Sequence, residues 1–470
     1  MLRGLELLAI TGFCQDYWGN KSDFKIHFAK FCLTDLLATV VTISVAQSPG
    51  RGTIQTISCA KDTSQQYALY VPVNYKPENL SPLIIFFDPG ARGDVPVTQY
   101  RPLADEYGVV IAGSFNSKNF DEQSSVASFT TVYNDIVNKY AIDPARIWVA
   151  GFSGGSRAAA DIAMTYPEIN GIIACGAGFS GNIEATTANM KAYVAIVGDK
   201  DMNYGELMDN TQFLTQENVN NILLVFQGEH RWPPVQYVGI GIKWLLENTG
   251  TEVTALSVEE KQVLESIKIK ADSGYLYQAW LEAGQLSKLK SYRDDAIALQ
   301  QKIEKKENFT IDKKFFEKTA TEETACMNEF SLSFSRFITG NNNVEKSVWM
   351  KIARQANAMR EDNNYYRQMA GLRCYDHCTR SCYEQYFHLM AEKEYTKAEK
   401  VADVLTNFSP SSYQPYYFMA RASAGGGKKK QCEKYLKQAI GKGLALQQIE
   451  KDKLLTNVFS SEEMKKIVVK

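Results

Sequence analysis

Arg146-Ile147-Trp148-Val149-Ala150-Gly151-Phe152-Ser153-Gly154-Gly155-Ser156-Arg157-Ala158-Ala159-Ala160 runs from an apolar stretch through Gly-x-Ser-x-Gly into a segment of small residues. This order predicts a buried strand, a sharp turn and a helix packed back against the strand, the layout of a nucleophile elbow. The serine of such a turn takes strained backbone angles, so glycines are needed at 151 and 155, where strand and helix nearly touch. Ser153 Oγ then projects from the sheet beside the unpaired N–H groups and positive dipole end of the helix starting at Gly154. Because Gly-x-Ser-x-Gly also arises by chance in loops, the rest of the chain has to supply a base and an acid.

Outward from the elbow, continuous apolar runs recur at 82–87, 109–112, 147–150, 172–175, 193–197 and 222–226, preceded by Tyr-Ala-Leu-Tyr-Val-Pro at 67–72. Helix-like stretches such as 131–140 separate most of them. Unbroken apolar runs fit strands buried on both faces, and their alternation with helices predicts an α/β fold, a doubly wound and mostly parallel sheet. Ligands in such sheets sit at the carboxyl ends of the strands.

Two of those ends carry suitable side chains. After 193–197 comes Gly198-Asp199-Lys200-Asp201, and after 222–226 comes Gln227-Gly228-Glu229-His230-Arg231-Trp232-Pro233-Pro234. The order is serine, aspartate, histidine, which separates one group of serine hydrolases from the two other common ones. The chain has only 4 histidines, and His230 is the only one between residues 47 and 376. An unperturbed imidazole is the side chain ready to take a serine proton near neutral pH, whereas a loop histidine has no reason to lie at this strand end.

Gly151-Phe152-Ser153-Gly154-Gly155, Gly198-x-x-Asp201, Gly228-x-His230 with Trp232-Pro233, and the Tyr67 to Pro72 strand together resemble the α/β-hydrolase superfamily. The likeness is to its esterase branch near feruloyl esterases, polyhydroxybutyrate depolymerases and dienelactone hydrolases, over about residues 55–248. The resemblance implies Ser153 as nucleophile, His230 as general base and then acid, and Asp201 as the carboxylate that holds the imidazole, with Asp199 as the alternative. It implies an oxyanion hole from the N–H of Gly154 and a second N–H after 82–87. There the usual His-Gly is replaced by Asp88-Pro89-Gly90-Ala91-Arg92-Gly93. Proline has no N–H, so the expected donor is Gly90, with Ala91 the other choice. Asp88 is open to three roles: orienting the loop, binding a substrate hydroxyl, or pairing with Arg92. Asn116, within the polar stretch Ser114, Asn116, Ser117, Lys118 and Asn119, and Trp232 beside His230 are candidate substrate contacts; ordinary loop polarity and packing at the sheet edge are the competing readings. Glu206 reads as a solvated helix start.

With 52 basic and 53 acidic residues, net charge −1, the chain presents no field of one sign to draw nucleic acid or anionic lipid. Residues 25–46 have a basic start, an apolar middle and small residues Ser44 and Ala46, the layout of a secretory signal peptide and too short for a comfortable membrane span. Export to the periplasm or medium is therefore expected, with the true start near Lys25. Of the 9 cysteines, two precede the proposed cut, and the odd number left argues against a dense disulfide framework.

Beyond 250 the strand signal ends. Helical spacing holds over 256–270, 275–288, 292–306, 313–338, 344–360 and 365–393, with a break at Gly340-Asn341-Asn342-Asn343. A repeat then appears, with Ala398 and Cys432, Leu405 and Ala439, and Tyr386 and Ala420 each 34 apart and small residues at packing points, resembling tetratricopeptide repeats at about 380–443. Cys374, Cys378 and Cys382 lie on one helical stripe and read as a packing face, their spacing not being that of a zinc site. The expected division is an extension at 1–46, a hydrolase region at 47–250 and an all-α region at 251–470. The expected activity is that of an exported serine esterase without cofactor or metal, acting on a small-molecule or carbohydrate-linked ester, with the helical region open to a protein partner. A binding protein on a degenerate hydrolase fold and a serine peptidase are the alternatives.

Overall fold

The computed structural model describes residues 50–119, 122–181, 190–253, 255–340 and 344–468; the signal-like segment lies outside them. Its strands are β1 (Ile54–Ser58), β2 (Gln66–Tyr70), β3 (Ser81–Phe87), β4 (Val110–Ser114), β5 (Ile142–Phe152), β6 (Gly171–Cys175), β7 (Ala192–Gly198) and β8 (Asn220–Phe226). They form one sheet in the order β1-β2-β4-β3-β5-β6-β7-β8. From β4 to β8 every neighbouring pair is parallel, while β1 and β2 join antiparallel at one edge. This is the α/β-hydrolase arrangement.

Both faces of the sheet are covered, which is why β3, β4, β6 and β7 are buried along their whole length and read as unbroken apolar runs. The intervening helices are α1 (Asp94–Tyr107), α2 (Glu122–Val137), α3 (Gly154–Thr165), α4 (Tyr204–Gln216) and α5 (Val235–Asn248). Helices α1 and α5 cover one face, and α2, α3 and α4 the other. From β3 the chain steps outward to β4 and then returns past β3 to β5. A crevice forms above such a reversal, and Ser153 follows β5 directly.

The helical half comprises α6 (Val258–Asp272), α7 (Leu276–Leu286), α8 (Arg293–Glu304), α9 (Phe309–Thr339), α10 (Lys346–Arg360), α11 (Tyr365–Ala391), α12 (Tyr395–Phe408), α13 (Gln414–Gly425), α14 (Lys429–Gly441), α15 (Leu446–Glu450), α16 (Lys453–Thr456) and α17 (Ser461–Val468). Local signals set the ends. Ser257 and Glu260 form a reciprocal capping box at the start of α6, and Gly340, at φ 70°, ends α9 in a left-handed turn.

The change of composition at residue 250 is not a change of core. Apolar residues of α6, α7 and α8 belong to the same cluster as α1, α5 and one face of the sheet, whereas residues of α9 to α17 form a separate core. Residues Gly52–Lys470 make one compact unit. An ion pair fastens the seam: Lys243 Nζ on α5 lies 2.6 Å from Glu260 Oε2 on α6, and both side chains are buried. Lys243 also donates to Ala255 O, and Glu260 accepts from Tyr107 Oη and from Ser257 N, so neither charge lacks partners.

The residues recurring 34 apart, Ala398 with Cys432, Leu405 with Ala439 and Tyr386 with Ala420, are all buried. Tyr386 stacks on Phe418 of α13 at 4.5 Å between ring centres, and the ring of Tyr395 fills the space beside Gly425. Cys374, Cys378 and Cys382 are buried in this second core with Cys326.

Because removal of one partner strands a buried charge, Lys243→Met is expected to destabilise the chain by about 3–5 kcal/mol, read by urea denaturation of the full protein. A loss below about 1 kcal/mol would mean that the seam does not depend on this pair.

Candidate active site

Ser153 has φ 54° and ψ −123°, a conformation a non-glycine residue holds only when its surroundings impose it. Two glycines impose it here. A Cβ on Gly151 would collide with Gly155 O, and one on Gly155 would collide with Phe87 O, so any larger residue would push β5, α3 and β3 apart. The turn is further pinned by Ser153 N–H to Cys175 O at 2.9 Å and Ser156 Oγ to Ala177 O at 2.7 Å.

Held in this way, Ser153 Oγ lies 2.9 Å from His230 Nε2, and His230 Nδ1 lies 2.9 Å from Asp201 Oδ2. A carboxylate on Nδ1 requires the proton there, which leaves Nε2 as the acceptor for the serine proton. The side chains of His230 and Asp201 are 4% and 1% exposed, so water does not compete for the bond between them. Phe152 lies against the imidazole at 4.6 Å between ring centres. Asp201 Oδ1 accepts from Asn203 N–H at 2.9 Å, and Asn203 Nδ2 holds Gly176 O at 2.7 Å. Gly176 has φ 64°, and a Cβ there would stand 3.0 Å from Asp201 Oδ2 and 3.3 Å from His230 Nδ1. Neither Asn203 nor Gly176 stood out in the sequence, because Asn203 acts through its backbone N–H and a side-chain amide hydrogen bond to Gly176 O, and Gly176 through its missing side chain.

Asp199 has a different task. Its Oδ1 accepts from Gly228 N–H at 3.0 Å, and Lys200 N–H returns to Gly228 O at 3.0 Å, so the loops bearing Asp201 and His230 are laced together. Asp199 Oδ2 accepts from Tyr365 Oη at 2.9 Å, and its carbonyl accepts from Arg373 Nη1 at 2.6 Å. Both donors lie on α11. Arg373 is itself buried in a two-pronged pair with Glu323 of α9 and stands over the ring of Tyr204.

Further along α11, Asp376 pairs with Arg380, and Glu384 follows one turn on. Desolvation pushes the carboxyls of Asp376 and Glu384 up, Arg380 opposes it, and both lie within electrostatic range of His230. Through Tyr365 and Arg373, α11 contacts the loop that bears Asp201. Arg157 of α3 forms a bidentate pair with Glu206, which also accepts from Gly178 N–H. Glu206 is therefore a structural partner rather than a freely solvated helix start. A cavity of about 300 Å³ opens between α4, α9 and α11, lined by Asn203, Glu206, Arg373 and His377 among others. Neither Ser153 nor His230 lines it.

The loop after β3 departs from the sequence expectation at several positions. Asp88 is fully buried. Its Oδ1 accepts from Gly90 N–H at 2.9 Å and Arg92 Nε at 2.8 Å, and its Oδ2 from Arg92 Nη2 at 3.1 Å and Trp232 Nε1 at 3.0 Å. Burial alone would push this carboxyl up, but the bonds from Arg92, Trp232 and Gly90 outweigh it and hold the carboxyl below its ordinary value of 3.8. Gly90 N–H is thereby consumed and cannot serve an oxyanion as it stands. Ala91 N–H is also taken, by Asp88 O at 3.0 Å. Asp88 thus has both carboxylate oxygens engaged within the chain, by Gly90, Arg92 and Trp232.

Trp232 likewise closes over Asp88, and its half-buried ring packs against the core on Phe86, Tyr100 and Phe152. Asn116 is fastened to the segment entering β2, accepting from Gln66 N–H and donating to Ser64 O. Gly154 opens α3, and its N–H has no hydrogen-bond partner among the described residues.

No protein-family model and no curated protein matches the chain. Among solved structures it is similar to a thermostable esterase, 18% identical over 42% of this chain and 62% of that one, with a TM-score of 0.31. It is also similar to a feruloyl esterase module from Clostridium thermocellum, 13% identical over 40% and 83% of the two chains, TM-score 0.33. A third is an S-formylglutathione hydrolase from Staphylococcus aureus, 14% identical over 42% and 98%, TM-score 0.33.

Two consequences can be measured. Asp199→Ala is expected to lower kcat roughly 10-fold by loosening both loops, and Asp201→Ala to lower it by a further factor of about 10² or more, because only Asp201 holds the imidazole tautomer. Equal losses would reverse this assignment. The depressed carboxyl of Asp88 contributes stability that is complete above its unfolded value of 3.8 and lost as pH falls through the lower folded value. Asp88→Asn should therefore cost roughly 1–3 kcal/mol at pH 7, with the gap to the parent narrowing below pH 3.8 in thermal melts.

Proposed function

We propose that the chain is a serine hydrolase that cleaves a carboxylic ester through an acyl-enzyme. The supporting observation is the unbroken hydrogen-bond path from Ser153 Oγ through His230 to Asp201, set at a strained elbow at the carboxyl ends of the strands. As Ser153 Oγ bonds to the acyl carbon, its proton passes to His230 Nε2 and the carbonyl electrons move onto oxygen. Collapse of that intermediate breaks the bond to the alcohol, which leaves with the proton from Nε2. Water then repeats the sequence and frees the acid. Asp201 keeps the imidazole oriented and offsets its transient charge.

The substrate we favour is an ester on a polar, carbohydrate-like alcohol. The supporting feature is the charged stripe on α11, the Asp376–Arg380 pair and Glu384, within electrostatic range of His230 and suited to hydroxyl-rich groups. We place the enzyme outside the cytoplasm, on the signal-like layout of 25–46. A non-catalytic binder is the second reading, and the observation favouring it is the capture of Gly90 N–H by Asp88.

Ser153→Ala is expected to abolish hydrolysis of p-nitrophenyl acetate, by at least about 10⁴-fold, while leaving the thermal midpoint near that of the parent. A fluorophosphonate probe should label Ser153 in the folded parent chain. If the parent takes up no probe and cleaves no ester, the binder reading replaces this one.

A further inference from the structure

Among the described residues, an oxyanion in this site would meet the free backbone donor Gly154 N–H, while the Pro89 to Ala91 stretch expected to supply a second has spent its own. Pro89 has none, Gly90 N–H is held by Asp88 Oδ1, and Ala91 N–H is held by Asp88 O. The neighbouring loop after β4 comes into the same corner. Lys118 bridges to Gly90, and Asn119 N–H donates to Pro89 O at 3.0 Å, so the end of that loop lies along residues 89–90.

The side chain of Asn119 then rests on the first residue of α3. A Cβ on Gly154 would collide with Asn119 Oδ1, which explains why glycine rather than a larger residue follows the nucleophile. Asn119 Oδ1 is buried and has no hydrogen-bond partner among the described residues. An amide oxygen buried in that state costs about 1–3 kcal/mol and calls for an explanation.

We propose that Asn119 is a catalytic residue, supplying the second donor of the oxyanion hole through Nδ2. The two ends of an amide are nearly equal in size, so a half-turn about χ2 exchanges Oδ1 for Nδ2 without moving the loop. In the resting state Oδ1 faces the positive end of α3. When the substrate carbonyl enters and becomes an oxyanion, Nδ2 faces it beside Gly154 N–H. The developing negative charge thus draws one side-chain and one backbone donor, and the Asp88 clamp holds the 88–93 loop in the shape against which Asn119 N–H is pinned.

This inference rests on the hydrolase reading, and the test separates the two. Asn119→Ala and Asn119→Asp are compared with the parent as full-length proteins, using p-nitrophenyl acetate and the rate of phosphonylation by a fluorophosphonate, whose P=O oxygen seeks the same hole. Loss of one oxyanion donor is typically worth about 10²–10³ in kcat. Asn119→Ala is expected to lose that much in kcat and in phosphonylation rate with KM within about threefold of the parent. The near-isosteric Asn119→Asp keeps the shape but replaces the donor with a negative acceptor, and should lose at least as much. The pH at half-maximal kcat/KM on the acid limb, which reports the histidine, should not move in either variant. Asn119→Asp or Asn119→Ala with a kcat within about threefold of the parent overturns the role of Asn119 and leaves the hydrolase reading intact; so does a loss confined to KM. A parent chain that neither reacts with the probe nor cleaves ester overturns both.

Discussion

One buried carboxylate, Asp199, joins three segments of the chain that are far apart in sequence. Its two oxygens and its carbonyl bind the histidine loop at Gly228, and Tyr365 and Arg373 of α11, while it stands two residues before Asp201. A catalytic carboxylate and imidazole come from different strand ends, and loops at strand ends are the part of such a fold with most freedom. Asp199 removes that freedom on both sides of the His230–Asp201 bond. Because its own anchors lie in the helical half, the geometry of the triad is coupled to the docking of α11. Arg373 makes that docking stiff, since its guanidinium is buried against Glu323 and has no alternative in water.

The same coupling explains why the helical half is not an appendage. Helices α6, α7 and α8 complete the cover of one face of the sheet, and the ion pair between Lys243 and Glu260 is buried at their junction with α5. Only from α9 onward does the chain build a second core. Through Tyr365 and Arg373, α11 of the second core contacts the loop that carries Asp201. Asp376 and Glu384 feel His230 because of this, although the sheet region contributes neither.

Much of this was legible in the chain alone. Strands buried on both faces must be apolar at every position, so the six inner runs stood out, whereas β1, with its mixed exposure, gave no comparable signal. Glycines 151 and 155 were readable because sterics leave no other choice. Ser153, Asp201 and His230 were suggested by chain order and by the scarcity of histidine. What was not legible depended on partners far apart in sequence or on who claims a given N–H. Gly90 has a backbone donor on paper, and only the folding of Asp88 back onto it shows that the donor is already engaged. Trp232 and Asn116 looked like wall and contact residues, and the structure gives each a partner within the chain, Asp88 for Trp232 and the 64–66 segment for Asn116. Asn203 and Gly176 carry no signature at all.

The order and spacing of apolar, glycine and catalytic residues determined the sheet, the elbow and the three side chains of the triad, because these follow from local sterics, burial on two faces and the chemistry of single groups. Tertiary structure decided which aspartate meets the imidazole, which backbone donors remain free, and what borders the site. Those outcomes are set by competition among polar groups brought together from distant segments, where each buried donor and acceptor takes the partner that folding places within reach.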